Sequence, residues 1–196
     1  MRATWAVLLI AGAALWGLSM KLLRVSAMVL ALFTGSTLAQ ADCPAEGFVL
    51  SAGNAFLAAA RNGSPAAFTS AAARFADLRS IAMFALGPHR KSLPKAKEAE
   101  YVALARAYMG AFMSKHAAKF SGSGLKITTC SGNTVNATMA SGKKLIFRVS
   151  GNKGHYRVQD VNAASIWLAG QMRTTFVGVI NRNNGDINAL LKFLRK

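Results

Sequence analysis

The spacing of apolar residues changes at Gly122–Gly124, and that change divides the chain into two kinds of structure. Before it, apolar side chains recur every three or four positions, the period of an α-helix. After it they alternate. Leu125, Ile127 and Thr129 fall on one side of an extended segment. So do Val135, Ala137 and Met139, then Leu145, Phe147 and Val149, then Tyr156 and Val158. The runs are separated by Ser131-Gly132-Asn133, Ser141-Gly142 and Ser150-Gly151-Asn152-Lys153-Gly154. Such residues tolerate positive φ and bond their own backbone in tight turns. Four short strands joined this way form an antiparallel meander with one apolar face. That face must be covered, and the helical segments on either side can cover it.

The longest helical pattern starts near Pro94, where a helix N-terminus tolerates proline because its missing N–H would be unpaired anyway. Glu98 and Glu100 come early and Lys115 and Lys119 late, the order a helix dipole favours. Tyr101, Leu104, Ala105, Tyr108, Phe112 and His116 make one bulky stripe, with Met109 and Met113 beside it. The opposite stripe is small rather than charged: Ala103, Ala107, Gly110, Ser114 and Ala117. A helix of this kind is covered on both sides, by a close-packed neighbour or in part by a ligand. Upstream, Phe48–Arg61 forms a first helix ended by Asn62-Gly63. Ser64 and Pro65 open a second, with Phe68, Ala72 and Phe75 buried, and Asp77 caps a third over Leu78–Leu86. Beyond the strands come Trp167–Arg182, with Met172, Phe176, Val179 and Ile180 on one side, and Ile187–Leu194, capped by Asp186.

Residues 1–41 read as a presequence rather than as part of this fold. Starting from Met20, Lys21 and Arg24 make a basic n-region, Val25–Leu38 an apolar h-region, and Ala39-Gln40-Ala41 a small-residue cleavage site before Asp42. Met20 is therefore the expected start. The first apolar block, Trp5–Leu18, is shorter than the roughly 20 residues that span a bilayer. The remaining 42–196 is the size of one domain. Three of the 24 Lys and Arg (Arg2, Lys21, Arg24) precede it, leaving 21 against 7 acidic residues. Such a balance attracts anionic surfaces or acidic proteins. Nucleic acid is not expected as a partner, since the chain is exported and its basic residues are dispersed outside any nucleic-acid motif. Cys43 and Cys130, an even count in an oxidising compartment, are expected to pair.

No catalytic constellation is visible. His89, His116 and His155 lie in three separate elements without metal-ligand spacing, so no metal is expected. Acids are too few to supply an evident acid–base pair. His116 reads as a partly buried, hydrogen-bonded side chain, and Asp160 as a carboxylate tying the last strand to the next helix. What the sequence does offer is apolar excess. One sheet face, the bulky face of the long helix and the Trp167 helix converge, and their aromatics and methionines suit a core or a cavity holding flexible chains.

The order of several fragments resembles the MlaC family. These are Asp77-Leu78 followed by Ala85-Leu86-Gly87, the Tyr101–Phe120 helix with its spaced aromatics, Asp160 followed by Arg173 and Phe176, then Gly185-Asp186 and Leu190. The resemblance covers most of 46–194. It departs at Ser165-Ile166-Trp167, where relatives carry Gly-x-Ser, and at Pro88-His89-Arg90, where they carry aromatics. It implies an α+β fold in one nuclear-transport-factor-like domain: N-terminal helices, a four-stranded meander and two C-terminal helices. It implies a periplasmic phospholipid carrier, not an enzyme, with lipid as ligand and no cofactor. Implied partners are an inner-membrane ABC complex and an outer-membrane lipoprotein complex. A carrier for hopanoids or another apolar ligand, or a non-carrier interaction module, are the alternatives. From facing and periodicity, acyl chains are expected against Phe84, against Leu104, Tyr108 and Phe112 of the long helix, and against Ile127, Met139, Phe147 and Val149 of the strands. Met172 and Phe176 of the following helix complete that set.

Overall fold

Local chemistry starts and stops the helices of this chain. A computed structural model describes residues 43–120, 122, 124–163 and 165–196. The presequence expected over 1–41 lies outside the described residues. Helix α1 spans Glu46–Asn62 and ends at Gly63, whose N–H donates to the Ala59 carbonyl (2.8 Å). The Ser64 hydroxyl accepts from the Ala67 N–H (3.2 Å) and opens α2, Pro65–Phe75, with proline at its first position. The Asp77 carboxylate accepts from the Ser80 N–H (3.0 Å) and opens α3, Leu78–Ala85. A 3-10 turn, Gly87–Ser92, follows.

The long helix, α4, spans Glu98–Lys115. It begins later than Pro94, because Pro94 is extended (φ −60°, ψ 136°) and the chain first makes a 3-10 turn over Lys95–Lys97. Its small face meets α2. A Cβ added to Gly110 would come 2.5 Å from Thr69 Cγ2 and 2.7 Å from the Pro65 carbonyl oxygen. The Ser114 hydroxyl donates to the Gly63 carbonyl at the start of the same neighbour. The close-packed neighbour expected for this face is therefore α2, while Ala103 and Ala107 remain exposed.

Beyond Gly124 the chain forms β1 (Leu125–Ser131), β2 (Thr134–Met139), β3 (Lys144–Ser150) and β4 (Arg157–Ala163). They pair in sequence order, antiparallel throughout. A fifth strand, β5 (Ile166–Trp167), pairs with β4 through Asn162–Trp167 and Ala163–Ile166. The meander thus has five strands rather than the four expected. Two residues of β5 are too few to show a period, and its pairing depends on Ser165, which turns the chain with φ 64°. Register shifts between Ile127 and Thr129 and between Arg148 and Val149 interrupt the alternation. The first moves Thr129 to the exposed side and leaves Cys130 half-buried, so strict period 2 fails within β1. Helices α5 (Leu168–Arg182) and α6 (Ile187–Leu194) complete the domain. Asp186 caps α6 through the Asn188 N–H (2.8 Å).

Helices α1, α3 and α5 contact the sheet, and α4 packs with α2, α3 and α6. Side chains from the sheet and from α1, α3, α4, α5 and α6 meet in one apolar cluster. Cys43, just before α1, and Cys130 in β1 form a disulfide with Cα atoms 5.6 Å apart. Among the described residues no helix is long and apolar enough to cross a membrane.

Two outcomes follow from this packing. Gly110→Val should cost about 1–3 kcal/mol, because the added atoms meet the Pro65 backbone as well as the Thr69 side chain, and the backbone cannot move aside; urea unfolding of the variant measures it. The disulfide closes a segment with a sequence separation of 87 residues. By loop-closure entropy, Cys43→Ser with Cys130→Ser should lose about 4 kcal/mol, read calorimetrically as a fall in Tm of about 10 °C.

Candidate functional site

The inner face of β2 and β3 carries no charged side chain. Val135, Ala137 and Met139 from β2 and Leu145, Phe147 and Val149 from β3 are all buried. Tyr101, Ala105 and Met109 of α4 and Met172 and Phe176 of α5 join them in the same cluster. The rings interlock edge to face: Tyr101 and Tyr108 lie 6.3 and 5.1 Å from Phe176. Phe193 of α6 closes on Tyr108 at 6.0 Å. The polar atom in this interior, the Tyr101 hydroxyl, donates to the Ala82 carbonyl of α3 (2.6 Å). Burial pushes that phenol far above its ordinary pKa, so it stays a neutral donor.

The ten residues expected to face acyl chains fall into three groups. Met139, Phe147, Val149, Met172 and Phe176 are buried within the cluster. Leu104, Tyr108 and Ile127 are half-buried against it. Two stand apart. Phe112 is half-buried on the same stripe of α4, but its ring stacks on His116 at 4.5 Å, at the end of the helix. Phe84 is 48% exposed, with the Arg173 guanidinium 5.0 Å from its ring centre. It lies one turn above exposed Ser80, whereas Ile81, Ala82 and Ala85 make the buried side of α3.

His116 accepts no catalytic geometry: its Nδ1 is 2.8 Å from the Phe112 carbonyl oxygen, at the C-terminus of α4. His89 Nε2 is 2.8 Å from Asn181 Oδ1, and His155 is exposed. Among the described residues no three His, Cys, Asp or Glu side chains gather as a metal site.

Asp160 is the charged residue buried among the described ones, at 9% exposure. Its Oδ1 accepts from the Val161 N–H (2.8 Å) and from the Ala169 N–H (2.9 Å). Ala169 is the second residue of α5, whose own preceding residue, Trp167, offers no capping side chain. A carboxylate from β4 therefore satisfies a donor that α5 would otherwise leave unpaired, and does so at the positive end of the helix dipole. This is the tie between strand and helix that the sequence suggested. Burial raises the Asp160 pKa, against the two N–H donors and Arg148, which lower it. Arg148 pairs across the ladder with Asp160 and lies over the Trp167 ring at 3.9 Å.

A second such tie was not legible in the sequence. The Asp77 N–H donates to the Val158 carbonyl (2.9 Å), and Gln159 Nε2 donates to Asp77 Oδ2 (3.1 Å). Gln159 also donates to Ser150 Oγ (2.6 Å). Asp77 feels burial, which raises its pKa, but Ser80, Gln159 and Arg79 together outweigh it and the net shift is downward. Gln159 is available for this contact because it sits at the bulge between β3 and β4 and has no ladder partner, a register that the sequence pattern does not carry.

Interior and fold together define a small α+β domain whose helices close over the uncharged inner face of β2 and β3. The family model described as MlaC protein matches residues 49–196, and the chain belongs to that family. Its fold is also that of a solved phospholipid-binding protein from Ralstonia solanacearum, determined in complex with a phospholipid, at a TM-score of 0.63 and 18% identity. The match covers 77% of this chain and 94% of that one. No curated protein matches the chain.

The two aspartates respond differently to change. Asp160→Ala should lose about 2–3 kcal/mol by leaving two backbone donors unpaired, while Asp160→Asn keeps an acceptor oxygen and most of the stability. With a raised pKa, Asp160 favours the fold more when protonated, a contribution that fades as pH rises through the raised value. Asp77, with a lowered pKa, contributes stability above its unfolded value near 3.9 that is lost as pH falls through the folded one. Thermal unfolding of Asp77→Asn across acid pH should therefore show a shallower acid-side decline than the parent.

Proposed function

We propose that this protein is a lipid carrier rather than an enzyme, holding acyl chains between the inner sheet face and α4. The observation that carries this is the uncharged interior shared by β2, β3, α4 and α5, in a member of the MlaC family whose fold matches that of a protein solved with phospholipid. Each methylene moved from water into such an interior gains about 0.8 kcal/mol, and a phosphate left at the mouth avoids a large desolvation cost. No covalent chemistry is needed.

The pattern of ties supports α4 as the element that yields. The disulfide holds α1 to β1, Asp77 holds α3 to β4, and Asp160 holds α5 to β4. The bonds of α4 described above run to other helices instead: Tyr101 to α3 and Ser114 to the start of α2. Glu98 pairs with Arg79 of α3 (2.6 Å), and Glu100 pairs with Arg195 beyond α6. On this reading Phe112 and Ile127 flank the entry, and Met139, Phe147, Val149, Met172 and Phe176 contact the chains inside. Phe84 would contact them only if it left the surface.

The carrier would be exported by the presequence and act in the periplasm, taking phospholipid between an inner-membrane ABC complex and an outer-membrane lipoprotein complex. A hopanoid-type lipid is the alternative cargo. Purification without detergent followed by native and denaturing mass spectrometry tests the proposal. Extra mass that leaves on denaturation and extracts into organic solvent is the expected result, and its fragments identify the lipid. Phe112→Glu should remove that mass while the protein stays folded, since Phe112 lies outside the main cluster. Protein that remains bare after incubation with phospholipid and hopanoid vesicles would instead support a non-carrier interaction module.

A further inference from the structure

The surface where α3 and the Gly87–Ser92 turn meet α5 combines features that the carrier reading does not use. Phe84 is one of two large apolar side chains exposed among the described residues. Arg173 lies over its ring. Beside them runs an open groove of about 410 Å³, lined by Pro88, Arg173, Thr174, Val177, Gly178 and Asn181. Its walls stand close for a stated reason: a Cβ at Gly87 would come 2.9 Å from Val177 Cγ2 and 3.1 Å from Arg173 Nε. A second guanidinium borders it, since Arg182 Nη1 lies 3.2 Å from where a Gly178 Cβ would stand.

These arginines face no acid. Both ion pairs found among the described residues involve other cations, Arg79 and Arg195. Arginine near a helix C-terminus complements the helix dipole, so charge alone would not mark a site. Here charge is joined to an exposed ring and a concave, partly apolar floor. A bilayer surface is flat and does not enter a groove of this size. Each guanidinium suits a carboxylate, which it binds in planar, bidentate geometry.

We propose that this groove docks an acidic segment of a partner protein, with Phe84 and Val177 taking an apolar side chain and Arg173 and Arg182 the carboxylates that flank it. Such docking would leave the interior free and does not depend on what the interior holds.

The test is an NMR titration of the ¹⁵N-labelled full-length protein with a synthetic peptide in which one phenylalanine is flanked by glutamates. The same peptide with glutamines is the control. Amide shifts should concentrate at Gly87, Val177 and Gly178 and be absent with the control. Phe84→Ser and Arg182→Glu should each weaken binding about tenfold, as for a side chain central to a small interface. Lys144→Glu, an exposed residue of β3 that does not line the groove, should change it less than about twofold. Shifts spread over every basic surface, or equal weakening by Lys144→Glu, would overturn the proposal. So would unmoved amides combined with binding to phosphatidylglycerol vesicles that Phe84→Ser and Arg182→Glu abolish. Extractable lipid measured in Arg182→Glu should not change, which separates loss of docking from loss of carriage.

Discussion

The Asp160 carboxylate joins the sheet to the helix that covers it. It reaches from β4 to the Ala169 N–H at the start of α5, where no local side chain caps the helix. Met172 and Phe176, which fill the interior from α5, are held in place through that contact. The cost is a buried charge, reflected in a raised pKa, and it is offset by two backbone donors, a helix N-terminus and Arg148.

Asp160 is one case of a wider allocation. Every described acidic residue stands at the beginning of a helix. Glu46, Glu98 and Glu100 lie in first turns, Asp77 and Asp186 cap α3 and α6, and Asp160 serves α5 from a neighbouring strand. With so few acids, all placed for folding, most of the lysines and arginines have no acidic neighbour. A basic surface follows from this economy, and it shapes which partners can approach. Asp160 apart, no charged side chain is buried among the described residues.

Much of this was legible in the chain. The helical segments, the caps at Ser64, Asp77 and Asp186, and the switch to alternating residues after Gly124 arise from local rules that tertiary context did not override. The small face of α4 left a close neighbour or a ligand open, and α2 is the neighbour, with Pro65 and Thr69 against Gly110. The misses have physical causes. Thr129 left the inner face because a bulge reset the alternation, and β5 is too short to carry a period. Phe84 shared the apolar character of its helix but not its buried side, and hydrophobicity alone does not distinguish the two.

Local pattern set where most elements begin, which face of each is apolar, and that the two cysteines pair. Those properties depend on neighbours within a few residues or on composition. The tertiary structure decided the rest: that Asp160 caps a helix nine residues onward, that Gln159 in a bulge reaches Asp77, and that Arg173 lies over an exposed Phe84. Each joins residues whose separation in the chain carries no periodic signal. Only the packing of helix on sheet brings them within bonding distance, so only the folded molecule could reveal them.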